Sequence, residues 1–235
     1  MKTAIHILAH KAVQSTFARH FRHWEALVEK PDDITVWCPA NARVDCPGIA
    51  IQAIGPAQHA GAEAIIRIVT ILQHCRDVGG YDQVALFEYD SLCLGGKLPE
   101  FVEDFGANVF QEDYPGKQFT ANFFTHPPLV IKVAALSRLC DAFTGMRFSD
   151  EAGYWDRWLG VALERSKLSI YNFRHHTKGF SLNTIHPEHE KDLRELVLGG
   201  ATMIHGIKSQ AALDCALRAR QLAFYREELQ KEGLL

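Results

Sequence analysis

Glu88 and Asp90 close an apolar run, Val84-Ala85-Leu86-Phe87, in the stretch YDQVALFEYDSLCLGG that spans residues 81 to 96. A run of this kind is the pattern of a strand covered on both faces. Two carboxylates directly after it, followed by Ser91, need an explanation. Side chains at i and i+2 of an extended segment point the same way, so both acids can face one site. Two like charges on one side raise one carboxyl's pKa unless a cation lies between them. A hard divalent ion meets that need, since Mg²⁺ or Mn²⁺ prefers carboxylate, water and phosphate oxygens. The competing explanation is a strand that has simply reached solvent.

The elements that must position these acids are legible upstream. Residues 3 to 9 read as a strand, and Val13, Phe17, Phe21, Trp24 and Val28 then recur at helical spacing. ITVWC (34 to 38) is a second strand after the Pro31-Asp32-Asp33 turn, and IAIQAI (49 to 54) a third. Ala64, Ile68, Ile71 or Leu72, and Cys75 stripe a second helix that Gly79-Gly80 ends. The order β-α-β-β-α-β predicts a largely parallel central sheet flanked by helices, Rossmann-like in its N-terminal half. In such sheets the ligand crevice lies at the carboxyl ends of the strands, which is where Glu88 and Asp90 fall.

The second half is less regular. Segments 108 to 110 and 119 to 124 read as strands, with Pro127-Pro128 breaking the chain before a helix from about 129 to 143. A helix near 154 to 166, a strand at 169 to 173, a His-rich loop, a helix from His186-Pro187 to Gly199-Gly200, and a strand at 201 to 205 follow. Ser209 caps a terminal helix with Leu213, Leu217, Arg220 and Phe224 on one face. With no internal repeat or low-complexity linker, residues 1–235 read as one α/β domain.

With 25 Lys plus Arg against 28 Asp plus Glu, the formal charge of −3 gives no general grip on nucleic acid. No window approaches the roughly 18 apolar residues of a membrane span. The N-terminus reads as a strand rather than a signal peptide. The six cysteines are scattered without a C-x-x-C pair, so buried free thiols and a cytoplasmic protein are expected.

Four segments together resemble a GT-A-type glycosyltransferase, the nucleotide-sugar-dependent kind with a D-x-D motif. They are TAIHILAHK, ALFEYDSLCLG in the D-x-D place, GYWDRWLGVALER (153 to 165) and MIHGIKS (203 to 209). The resemblance implies a divalent metal, Mn²⁺ or Mg²⁺, held on the donor diphosphate by Asp90 and Glu88; the motif here is E-x-D, a departure at its first acid. It implies that His205 completes the metal shell and that Lys208 meets the diphosphate. His10 and Lys11 after the first strand, and Pro39 and Asn41 after the second, stand where the family binds the nucleotide. Residues 1–96 would then form the nucleotide-sugar half and 97–235 the acceptor and catalytic half.

Asp156 lies near the start of an amphipathic helix, off its Trp155, Trp158, Leu159, Ala162, Leu163 stripe, where the helix dipole favours a carboxylate. Dipole compensation or a salt bridge with Arg157 would account for it. The resemblance implies a sharper role, the base that takes a proton from an acceptor hydroxyl in an inverting transfer, with Glu151 as competitor. RHHTKG and HPEHE suggest zinc, but no H-E-x-x-H supports it, and a solvated loop near the site fits better. FFTHPPLV (123 to 130) offers rings to stack on an acceptor sugar, or core packing.

The function expected is transfer of a sugar from a UDP- or GDP-linked donor to a hydroxyl acceptor, a glycan or glycoconjugate. A sugar-nucleotidyltransferase is the alternative, although LAHKAVQST lacks the glycine of its usual loop. A non-catalytic nucleotide- or sugar-binding protein of the same fold is the other.

Overall fold

The computed structural model describes residues 1–9, 24–30, 33–39, 50–54, 62–95, 97–111, 123–148, 155–176, 180–181, 190–207 and 209–233. The apolar runs of the first hundred residues form the strands expected of them: β1 at Thr3–Leu8, β2 at Ile34–Cys38, β3 at Ala50–Ala53 and β4 at Gln83–Glu88. All pair in parallel, in the order β3-β2-β1-β4. Helix α1 (Ala62–Val78) joins β3 to β4 and ends in Gly79 and Gly80, both at positive φ (65° and 81°), which glycine adopts without a Cβ clash. The stripe from Val13 to Val28 lies mostly outside the described residues; Trp24, its described large ring, is fully buried.

Strands β6 (Phe105–Gln111), β7 (Phe123–Lys132) and β8 (Ile170–Asn172) complete a seven-stranded sheet, order β3-β2-β1-β4-β7-β6-β8. Among these strands β7 alone runs antiparallel to its neighbours, so the sheet is mostly parallel. Strands β5 (Ser91–Cys93), β9 (Phe180–Ser181) and β10 (Met203–His205) form a second sheet, order β5-β10-β9.

Alternation along the strands fills both faces of the large sheet. Ala4, Leu8, Val84 and Leu86 pack with Ile68 and Leu72 of α1, Leu136 and Leu139 of α2 (Val133–Phe143), and Leu159 and Leu163 of α3 (Trp155–Ser166). Ile5, Ile7, Ala85 and Phe87 pack on the other face with Trp24, Met203 and Phe173, the last from the short helix α4 (Phe173–His176). A third cluster joins α5 (Glu190–Leu198) and α6 (Gln210–Lys231) to β5 and β10 through Leu193, Val197, Leu92, Ile204 and Leu213. Each fully buried Leu, Ile or Phe contributes about 1.5–3 kcal/mol. No described helix is long and apolar enough to cross a membrane. The five described cysteines, Cys38, Cys75, Cys93, Cys140 and Cys215, are buried and form no disulfide with one another.

Two expectations fail. Pro127-Pro128 does not break the chain; it lies within β7. β4 pairs with β7 only from Leu129 to Lys132, so both prolines lie past the last β4 partner and owe it no N–H. On the opposite side β6 shifts register between Gly106 and Asn108, and the Asn108 amide donates to the Pro127 carbonyl (3.2 Å). Gly106 is required there, since a Cβ would meet the Phe173 ring at 2.7 Å. The helix after β7 consequently starts at Val133, not near 129. In α6, Ser209 caps as expected, accepting from the Ala212 N–H (3.1 Å), but Phe224 is 51% exposed. Leu213 is buried and Leu217 packs against the same cluster as expected, but the rest of the buried face is Ala212, Cys215, Ala216, Ala219 and Ala223, small residues that let α6 lie close to its neighbours.

His6 is buried within β1, and the Trp37 indole N–H donates to its Nδ1 (3.0 Å). Burial, reinforced by the charge of His74, pushes its pKa from 6.5 to about 3. Between these values the unfolded chain binds a proton that the folded chain refuses, so stability falls as pH drops from 6.5 towards 3, by at most about 1.4 kcal/mol per pH unit. Urea unfolding across that range is expected to show a shallower acid slope in His6→Gln than in the parent chain. Equal slopes would mean that His6 is not the group responsible.

Candidate functional site

β4 and β1 end together, Glu88 opposite Leu8, and the Tyr89 N–H extends the ladder to the Leu8 carbonyl (3.1 Å). The chain then turns at Tyr89-Asp90 and re-enters a strand at Ser91. The two acids therefore do not project from one extended segment, as their i, i+2 spacing suggested. They converge through a strand, a turn and a second strand.

The partner that gathers them is β10. It pairs antiparallel with β5, Ser91 opposite His205, and the Asp90 carbonyl accepts from both Gly206 N–H (3.1 Å) and Ile207 N–H (2.9 Å). Gly206 has φ 99°, a left-handed backbone that turns the chain back after His205. The imidazole of His205 consequently stands between the acids, its Nε2 3.2 Å from Glu88 Oε2 and its Nδ1 3.4 Å from Asp90 Oδ1. Ser91 Oγ lies 3.1 Å from the same Nδ1.

Burial decides between the two explanations of the acids. Glu88 is 8% exposed and Asp90 3%, so neither belongs to a solvated strand end. Buried carboxylates are costly without compensation. Here one ligand atom each from Glu88, Asp90 and His205 lie within 4.8 Å of one another, a span that one cation can bridge. The donor set, two carboxylates and an imidazole, suits Mg²⁺ or Mn²⁺. Among the described residues this is the only such group of three. Burial also pushes the Tyr89 hydroxyl up to about 12, with the Asp90 and Glu88 charges adding to it.

Helix α3 supplies the next layer. The Trp155 indole N–H donates to Glu88 Oε1 (3.2 Å), which fixes the helix start against the acid. Asp156 follows: its Oδ1 accepts the Arg157 backbone N–H (2.8 Å) and its Oδ2 lies 3.0 Å from His126 Nε2. The carboxylate thus engages the main chain of Arg157 and the ring of His126. His126, on β7, in turn packs edge-on against His205, ring centroids 5.3 Å apart. Asp156, His126, His205, Glu88 and Trp155 form a closed circuit of contacts.

Of the residues expected at the site, Glu88, Asp90, His205 and Asp156 come together. Pro39 is described and buried directly after β2, at the carboxyl edge of the sheet. His10, Lys11, Asn41, Glu151 and Lys208 lie outside the described residues, as do the second half of RHHTKG (177 to 179) and all of HPEHE but Glu190. Sequence reasoning missed His126, the indole of Trp155 and Arg67. Arg67 is buried on α1 and donates to the Ala9 carbonyl (3.4 Å); burial lowers its pKa against the raising influence of Cys38, Glu88 and Glu63. A basic residue inside the apolar stripe of α1 was the available signal for Arg67; a histidine inside a strand was the one for His126.

No known sequence family and no curated protein matches the chain. Among solved structures it is similar to A197 from STIV, at 11% identity over 73% of this chain and 81% of that one, TM-score 0.38. It is also similar to 2-C-methyl-D-erythritol 4-phosphate cytidylyltransferase from Thermus thermophilus, at 14% identity over 84% of this chain and 96% of that one, TM-score 0.44. Likenesses this distant say nothing about activity.

The turn at Gly206 gives a test of the assembly. Gly206→Ala forces a Cβ into the left-handed region and is expected to cost about 1–3 kcal/mol in urea unfolding. The His205 ring resonances should shift with it. A variant as stable as the parent, with His205 unmoved, would show that the site does not depend on this turn.

Proposed function

We propose that the chain is a divalent-cation-dependent glycosyltransferase, moving a sugar from a nucleotide diphosphate donor to a hydroxyl acceptor. The observation that carries this reading is the Glu88, Asp90, His205 group, its two acids buried, at the carboxyl end of β4, with Asp156 one contact away through His126. Mn²⁺ or Mg²⁺ held there by Asp90, Glu88 and His205 would supply positive charge to the departing nucleoside diphosphate. Asp156 takes the proton from the acceptor hydroxyl as that oxygen attacks the anomeric carbon, which gives inversion. His126 holds Asp156 Oδ2 and so orients the base. Glu151 is the competing base.

In this reading residues 1–96 hold a UDP- or GDP-linked donor, with His10, Lys11, Pro39 and Asn41 around the nucleotide and Lys208 on its diphosphate. Residues 97–235 present a glycan or glycoconjugate. Nucleotidyl transfer is the second reading, because the same acid and imidazole group also suits a cation on a nucleoside triphosphate. The absence of glycine from LAHKAVQST speaks against it.

Calorimetric titration of UDP and GDP with and without Mn²⁺ tests the donor site. Binding is expected only with the cation, and Asp90→Asn should weaken it by about tenfold or more. Asp156→Asn should bind nucleotide like the parent yet lose about 10²–10⁴-fold in turnover. Product analysis separates the readings, since glycosyl transfer releases a nucleoside diphosphate and nucleotidyl transfer releases pyrophosphate. Failure of both nucleotides to bind in Mn²⁺ would overturn UDP- and GDP-linked donors.

A further inference from the structure

The aromatic residues next to His126 are not part of the core. Phe110 on β6 and Phe124 on β7 stand opposite each other, rings stacked with centroids 5.3 Å apart and planes at 12°. Both are half-buried, and neither belongs to the three buried clusters. His126, two residues along β7, lies 5.1 Å from the Phe110 ring and 5.2 Å from the Phe124 ring. The three rings thus form a wall that begins at Asp156 and His205, where His126 touches both, and runs outward.

A cation closes its far end. The Arg174 guanidinium carbon sits 4.2 Å from the Phe110 ring centroid, and its Nη1 donates to the Val109 carbonyl (3.5 Å). Its backbone N–H donates to Asn172 Oδ1 (3.1 Å), which also accepts the Val109 N–H (3.2 Å). The head group is therefore fixed over the ring by β6 and the segment after β8. Arg174 is exposed, and among the described residues no carboxylate forms an ion pair with it. A guanidinium held in this way retains most of its five donors in a planar fork suited to phosphate or carboxylate.

We infer that the acceptor is an anionic sugar: its ring lies along the wall of Phe110, Phe124 and His126, its phosphate or carboxylate binds Arg174, and its hydroxyl reaches Asp156. The inference rests on the glycosyl-transfer reading and names the acceptor class for that site. Aromatic faces take the apolar C–H side of a sugar, and the anion fixes which hydroxyl points inward. Such a site holds a neutral sugar weakly.

The test is titration of glucose 6-phosphate, glucuronate and glucose into ¹⁵N-labelled protein with diamagnetic Mg²⁺ present, followed on the Phe110 and Phe124 amides and the Arg174 Nε–H. At least one anionic sugar is expected to shift these resonances saturably, with glucose about tenfold weaker, the size of one charge-assisted hydrogen bond. Preference for glucose 6-phosphate over glucuronate would assign a phosphate-bearing acceptor, and the reverse a carboxylate-bearing one. Arg174→Gln should erase the gap between anionic and neutral sugars, and Phe124→Ala should weaken all three. Equal binding of glucose, an anionic preference that survives in Arg174→Gln, or no shift with any of the three would overturn the inference. UDP and GDP binding in Mn²⁺ is measured by calorimetry on the same protein preparation. If the nucleotides bind and the anion preference is missing, this inference alone fails; if they do not bind, the UDP- and GDP-linked donor reading on which it rests falls as well.

Discussion

Holding two carboxylates out of water is the constraint around which this molecule is arranged. Glu88 and Asp90 are both buried, and the imidazole of His205 stands between them with a nitrogen towards each. Every other feature near the acids serves that placement. The double hydrogen bond to the Asp90 carbonyl locks β10 in register, the left-handed Gly206 turns the chain away, and Trp155 engages the remaining oxygen of Glu88. Removing any one of these would leave a buried charge with fewer partners, which is far costlier than losing a surface contact.

The sheet explains why acids and aromatic rings meet at one edge. Strands β1, β2, β3 and β4 are parallel, so their carboxyl ends define a single rim. β7 runs the other way, which brings its beginning, Phe124 and His126, to that rim; β6 runs with β4 and delivers its end, Phe110. One reversed strand in a parallel sheet thus sets an apolar wall beside a polar group. The prolines of β7 fall beyond Leu129, where its pairing with β4 has stopped, so their missing N–H groups break no bond of that ladder.

Much of this was legible in the residues, because burial on both faces writes itself as apolar runs. Thr3–Leu8, Ile34–Cys38 and Gln83–Glu88 are strands for that reason, and the acids after Phe87 marked the rim. Reading stopped where tertiary context overrode local chemistry. Pro127-Pro128 looked like a break because a missing N–H is harmful in a paired strand, and only the register shows that no partner is there. The terminal helix was given a large apolar face, whereas close packing selected alanines and left Phe224 outside. By sequence Trp155 is one more stripe residue, since spacing records which way a side chain points and not that its N–H meets Glu88. His126 was hidden for the same reason: its partners come from β10 and α3, far away in the chain.

The pairing of Ser91 with His205 joins positions 114 residues apart. Closing a loop of that length is entropically expensive, and contacts so distant in sequence are made late when a chain folds. The parallel strands can associate while the last part of the molecule is still on the ribosome, yet the acids then have no imidazole beside them. The group of two acids and an imidazole is therefore complete only with the C-terminal quarter of the chain, once β10 has docked on β5.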